Sequence, residues 1–112
     1  LLLNVFDRGE LLRLVSRETG CTDAVAQVVE WVAEISGNTD RYPNLIGMDF
    51  NATALDLLAC MFAGLDAEAS LQRLAIRYGE DDVAEHRDAL RALFRALKQC
   101  ALFHAVFADL RD

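Results

Sequence analysis

The sequence predicts a mainly α fold in which about five helices form one compact domain. Apolar residues recur at helical spacing through most of the chain, and glycine and proline, the residues that interrupt helices, number only six and one. The 112 residues match the usual size of one domain and suffice to bury a single core. We therefore expect a single helix-rich domain over residues 1–112. It is divided into a helical hairpin (8–36), a loop or short strand (37–51) and a three-helix unit (52–110).

The hairpin is predicted from two amphipathic segments. Leucines and valines alternate with charged residues in the first segment, and Gly20 is suited to the left-handed position that ends a helix. Thr22 or Asp23 is expected to cap the second helix. The second segment carries an apolar stripe opposite a polar one, which favours a helix, although its β-branched residues keep a strand open as the alternative. The apolar stripe consists of Val25, Val28, Val29, Val32 and Ile35.

Turn-forming residues dominate the stretch between the hairpin and the three-helix unit. Pro43 disfavours helical backbone at the residue before it. The sequence LIGMDF then alternates weakly, which predicts one short strand from Leu45 to Phe50. At most one to three short strands are expected in the whole chain.

The three-helix unit after residue 51 has winged-helix-like spacing. Its helices are predicted over residues 52–63, 67–78 and 81–110. Asn51 or Thr53 is the expected cap of the first, and Gly79 ends the second. The third begins near Asp81 or Asp82, since acidic side chains suit the positive end of a helix dipole.

Charge and composition restrict the classes of partner. The net charge of −7 opposes binding to nucleic acid and to anionic membrane surfaces, and no apolar run is long enough to cross a bilayer. Three widely spaced cysteines indicate a reducing compartment, so we expect a cytoplasmic protein. The hydrophobic fraction of 54% is high and fits either a partner interface or a well-filled core. The chain does not begin with Met, which suggests a processed or partial chain.

The residues of a catalytic or metal site are not found. His86 and His104 would lie roughly 27 Å apart on one unbroken helix, too far apart to share a metal ion. The acidic run from Glu80 to Asp82 is consecutive at a helix start, which favours capping over paired acid–base catalysis. No phosphate-binding glycine loop and no nucleophile elbow occurs. We therefore expect neither enzymatic activity nor a cofactor.

The segment CALFHAVF, residues 100–107, is apolar on nearly every side of a helix. Such a helix must be enclosed on several sides, either in the centre of the domain or against a second copy of the chain. In the second case the chain forms a homodimer. The residues expected at that interface are Leu102, Phe103, Val106, Phe107 and Leu110.

Residues 50–103 resemble the PqqD-like family, the recognition elements that hold leader peptides for enzymes that modify them. The similar stretches are FNATALDLL (50–58), LDAEASLQRLAIRYGED (65–81) and DALRALFRALKQCALF (88–103). The resemblance implies that a peptide adds a strand to the 45–50 edge and rests against the last helix. The family places three antiparallel strands before its helices. The peptide-binding residues implied are Leu45, Ile46, Met48, Phe50, Arg87, Leu90, Arg91 and Phe94.

Three functions therefore remain. The first is a non-catalytic adaptor that binds a peptide or protein, in its sharpest form by presenting a leader peptide to a modifying enzyme. The second is an all-helical module for homo-oligomerisation or protein interaction. The third is a winged-helix DNA-binding protein, in which Arg73 and Arg77 would face the nucleic acid, and the acidic balance of the chain argues against it.

Overall fold

The computed structural model describes residues 10–38, 40–42, 47–63 and 66–104, and helices account for most of them. The helices are α1 (Glu10–Thr19), α2 (Thr22–Gly37), α3 (Phe50–Ala63), α4 (Ala67–Tyr78), α5 (Glu80–Glu85) and α6 (Arg87–Gln99), followed by a 3₁₀ turn (Ala101–Phe103). The mainly α fold is confirmed, and no strand occurs within the described residues. No helix among them is long and apolar enough to cross a membrane.

A single core joins the predicted hairpin to the helices that follow it. The central helix α2 packs against α1, α3 and α6, while α3 packs against α4. The apolar stripe predicted for α2 faces this core, with Val28 and Val32 fully buried and Val29 half-buried. The helical prediction for 23–36 is therefore confirmed over its strand alternative. Because α2 packs on α6, the hairpin and the last helices belong to one packed unit.

The link between α1 and α2 confirms one predicted helix end and corrects the other. Gly20 has the positive φ of 71° that a left-handed helix end needs, and its N–H donates to the Ser16 carbonyl at 2.9 Å. The cap predicted at Thr22 or Asp23 is wrong, because both residues already lie inside α2. Cys21 occupies the cap position without a side-chain hydrogen bond.

The start of α3 also differs from its prediction. Asp49 is the capping residue, since its Oδ1 accepts from the Ala52 N–H at 2.8 Å, whereas Asn51 and Thr53 lie within the helix. Thr53 is fully buried, and its hydroxyl donates to the Asp49 carbonyl at 2.9 Å. The helix starts early because Phe50 packs into the core as its first residue.

The strand predicted from Leu45 to Phe50 is not present in the part of that segment that is described. Leu45 and Ile46 lie outside the described residues. Met48 has irregular backbone and packs half-buried against the core, and Phe50 is helical. The burial of Phe50 and the Asp49 cap together turn the end of this segment into a helix start.

The single helix predicted from residue 81 onward is divided at two places. At His86 the backbone leaves the helix (φ −108°, ψ 14°), so that α5 packs on α4 while α6 packs mainly on α2. At Cys100 the backbone becomes extended, and the 3₁₀ turn that follows places Phe103 in the core. One straight helix could not make both sets of contacts. Residues 105–112 lie outside the described part of the chain.

Candidate functional site

A buried carboxylate ties α5 to the segment that follows α2. Asp82 is only 6% exposed and accepts hydrogen bonds from the Tyr42 hydroxyl and, at 2.5 Å, from Nη2 of Arg41. Arg41 also pairs with Glu34 on α2, at 3.3 Å between Nη1 and Oε1. We call Asp82, Tyr42 and Arg41 the Asp82 clamp. Asp82 lies in the first turn of α5, where the sequence predicts a capping acid, but its charge is also satisfied by residues some forty positions earlier in the chain.

The surroundings of Tyr42 favour the protonated form of its hydroxyl. Burial and the hydrogen bond to the negatively charged Asp82 together raise the pKa of Tyr42 to about 12. The tyrosine hydroxyl therefore stays protonated near neutral pH and acts as a steady donor. General acid–base catalysis works best with a group whose pKa lies near the working pH, which Tyr42 does not offer.

Trp31 of α2 packs against the rings of two other residues. The ring of His86 stacks on it at 4.7 Å between centroids, and Tyr78 meets it edge-on at 5.7 Å. Nδ1 of His86 lies 2.9 Å from Nε2 of Gln27, so the imidazole is held on both sides. His86 is half-buried because the bend between α5 and α6 turns it onto α2. The buried Trp31 Nε1 has no hydrogen-bond partner among the described residues.

Asp56 of α3 accepts hydrogen bonds from two residues at the C-terminal end of α4. It accepts from the Tyr78 hydroxyl and from Nε of Arg77, the latter at 2.7 Å. Burial and the bond to Asp56 raise the pKa of Tyr78, and the same carboxylate raises the pKa of Arg77. The charge of Arg77 is thus partly offset within the domain.

A shallow groove runs between α4 and α5. Its lining is mixed, because the buried Leu71 and Val83 and the half-buried Ala75 lie among a larger number of polar residues, and Ile76 stands at its edge with 88% of its surface exposed. No other large apolar side chain among the described residues is as exposed. We call this surface the α4–α5 groove. Its polar rim consists of Glu68, Gln72, Glu80, Asp81 and Arg87.

Of the predicted peptide-binding residues that the structure describes, two arginines lie at this surface. Arg87 is exposed and lines the α4–α5 groove, and Arg91 reaches its end, where Nη2 lies 2.6 Å from Oε1 of Glu68. Leu90, Phe94 and Phe50 are buried in the core, so they have no surface to offer a peptide. Burial follows from their spacing, because each stands on the inward face of its helix.

The predicted oligomer interface is largely outside the described part of the chain. Phe103 is 1% exposed and packs into the core of its own domain, which leaves it no surface for a second copy. Nothing is described for Val106, Phe107 and Leu110, nor for the side chain of Leu102. His104, expected in the core or an interface, is exposed, with its Nε2 3.3 Å from the Lys98 carbonyl oxygen.

Sequence reasoning missed Ile76 and its acidic neighbours as a surface. Ile76 was grouped with the apolar residues of its helix, yet it lies two positions after the buried Leu74, which places it on the opposite face. That offset is the signal that could have identified it.

No metal centre forms within residues 10–38, 40–42, 47–63 and 66–104, because no three His, Cys, Asp or Glu side chains gather closely enough. The three cysteines are free and half-buried, and burial raises the pKa of the Cys21 and Cys60 thiols. Cys60 and Cys100 pack against the core. Comparison of the chain with protein-family models, curated proteins and solved structures found no match.

Proposed function

We propose that this chain is a non-catalytic protein-binding module that takes a segment of its partner into the α4–α5 groove. The observation that carries the proposal is Ile76, an isoleucine left 88% exposed that lines a shallow hollow together with Ala75, Gln72 and Glu80. Single exposed apolar residues are common on protein surfaces. Here the residue adjoins a concave surface, so a partner side chain could contact Ile76 and Ala75 together.

The energetics favour a modest, reversible interaction. Complete burial of an isoleucine side chain contributes about 1.5–3 kcal/mol, and adjoining groove atoms add to that. An interface anchored on one such residue belongs with small, transient complexes, whose affinity depends on a few central contacts. This is the behaviour expected of an adaptor.

Other functions receive less support. Leader-peptide binding by strand addition needs an open strand edge, and the helical, buried Phe50 offers none. DNA binding through a winged helix would use Arg77, whose guanidinium is engaged by Asp56. Catalysis would need polar groups with matched pKa values in a cleft, whereas the buried Asp82 and Tyr42 are committed to each other.

Selection of short random peptides displayed on phage tests the proposal. Enriched peptides should bind the wild-type chain, lose about tenfold in affinity for I76S, and bind A33S, a control at an exposed position on α2, as tightly as wild type. Hydrogen exchange with a bound peptide should slow within α4 and α5. Enriched peptides that bind I76S as well as wild type, or protection confined to other helices, would contradict the proposal.

A further inference from the structure

The rim of the α4–α5 groove carries negative charge that the domain does not neutralise. Glu80 and Asp81 are exposed, and neither forms a salt bridge within the described part of the chain. Of the other acids at this surface, Glu68 pairs with Arg91, and the adjacent Asp82 belongs to the Asp82 clamp. The unpaired negative charge of Glu80 and Asp81 therefore lies on the α5 side of the groove.

Glu80 also connects the two parts of this surface. It lines the hollow beside Ile76 together with Gln72 and Ala75, and the same three residues line the remainder of the groove. A side chain packed on Ile76 would therefore place its neighbours within reach of the Glu80 carboxylate.

We propose that the partner segment is basic, with an apolar side chain that packs on Ile76 and a lysine or arginine next to it that pairs with Glu80 and Asp81. This inference rests on the proposed function, because it names the partner of the same groove. The apolar contact supplies affinity, and the charge pair supplies orientation and discrimination against acidic segments. Arg87, further along the rim, would repel the lysine or arginine of the partner, so the segment would bind with this residue next to Glu80 and Asp81 and away from Arg87.

Helix capping accounts for the acids but not for the whole surface. Acidic residues in the first turn stabilise a helix through its dipole, and α5 has three of them. That effect is independent of what lies beside the acids. It gives no reason for an exposed isoleucine and a groove to adjoin the same two carboxylates.

A second copy of this chain is not expected to bind in the α4–α5 groove. Two copies meeting at this groove would bring their exposed Glu80 and Asp81 side chains into one interface. Each chain carries a net charge of −7, so the approach is also opposed at longer range. A basic segment of another protein fits both the local and the overall charge.

Two fluorescein-labelled helical peptides test this partner chemistry. They share one pattern of leucines and differ only in lysine or glutamate at the remaining positions. The lysine peptide should bind wild type at least about tenfold more tightly than the glutamate peptide, and added salt should weaken it. The E80Q/D81N variant should bind the lysine peptide about three- to tenfold more weakly than wild type. The control variant E18Q/E30Q makes the same charge change at exposed positions on α1 and α2, and its affinity for the lysine peptide should fall less than about twofold.

The variants separate this inference from the proposed function. Binding lost in I76S but kept in E80Q/D81N would overturn the basic partner and leave the groove as the docking site. If neither I76S nor E80Q/D81N changes binding, both the basic partner and the docking groove are overturned. The same holds if E18Q/E30Q weakens binding as much as E80Q/D81N does, since the peptide would then be attracted to the acidic chain in general. Hydrogen exchange of the wild type with the lysine peptide locates the contact without a substitution. Protection over 71–84 is expected, and protection confined to other residues would overturn the inference.

Discussion

Replacing Asp82 by alanine is expected to destabilise the domain far more than replacing its neighbour Asp81. The two carboxylates are adjacent in sequence and share the first turn of α5. Asp82, however, is 6% exposed and accepts from Tyr42 and Arg41, while Asp81 is exposed and unpaired within the described residues. The comparison therefore isolates the Asp82 clamp from the effect of charge at a helix start.

The expected magnitude follows from what each partner loses. In D82A the buried Tyr42 hydroxyl has no acceptor, and an unsatisfied buried polar group costs about 1–3 kcal/mol. Arg41 is half exposed, so loss of its pairing adds only about 0–1 kcal/mol. D81A should cost less than about 1 kcal/mol, the usual contribution of an acidic side chain to a helix dipole. The free energies of unfolding should thus differ by about 2 kcal/mol.

Urea unfolding followed by circular dichroism measures these values, and Y42F completes a double-mutant cycle. If the clamp acts as a unit, Y42F should cost about 1–2 kcal/mol less in the D82A background than in wild type. Equal destabilisation by D82A and D81A, within about 0.5 kcal/mol, would refute the clamp. So would additive effects of Y42F and D82A.

Three other expectations concern α4, Tyr42 and Trp31. I76S should change the free energy of unfolding by less than about 0.5 kcal/mol, whereas L74A, at a fully buried position two residues earlier, should cost about 2–5 kcal/mol, as measured by urea unfolding. Because the pKa of Tyr42 is raised in the folded state, its stabilising contribution is complete below about pH 10 and lost toward pH 12. The stability difference between wild type and Y42F should therefore shrink by about 2 kcal/mol over that range, and a constant difference would contradict the buried tyrosine. H86A should increase acrylamide quenching of Trp31 fluorescence because it removes the stacked ring, and unchanged quenching would show that the stack does not shield the indole.

The features predicted correctly depend on neighbours along the chain. The stripe of α2 repeats within one helix, and Gly20 and Gly79 end their helices through their own backbone freedom, with φ of 71° and 107°. The features missed depend on distant contacts. Phe50 joins α3 because the core accepts it, and the chain bends at His86 because α5 and α6 pack on different helices. No local pattern carries that information.

The acidic run Glu80, Asp81 and Asp82 shows both what can and what cannot be predicted from the sequence. Consecutive residues of a helix point about 100° apart, so the three acids point in three different directions around α5. Asp82, next to the buried Val83, is the acid that turns inward, whereas Glu80 and Asp81 are exposed. What the sequence could not supply is the partner, because Arg41 and Tyr42 stand some forty residues earlier, beyond a stretch of turn-forming residues. The inward acid consequently holds the fold together, and the two outward acids remain available for a basic ligand.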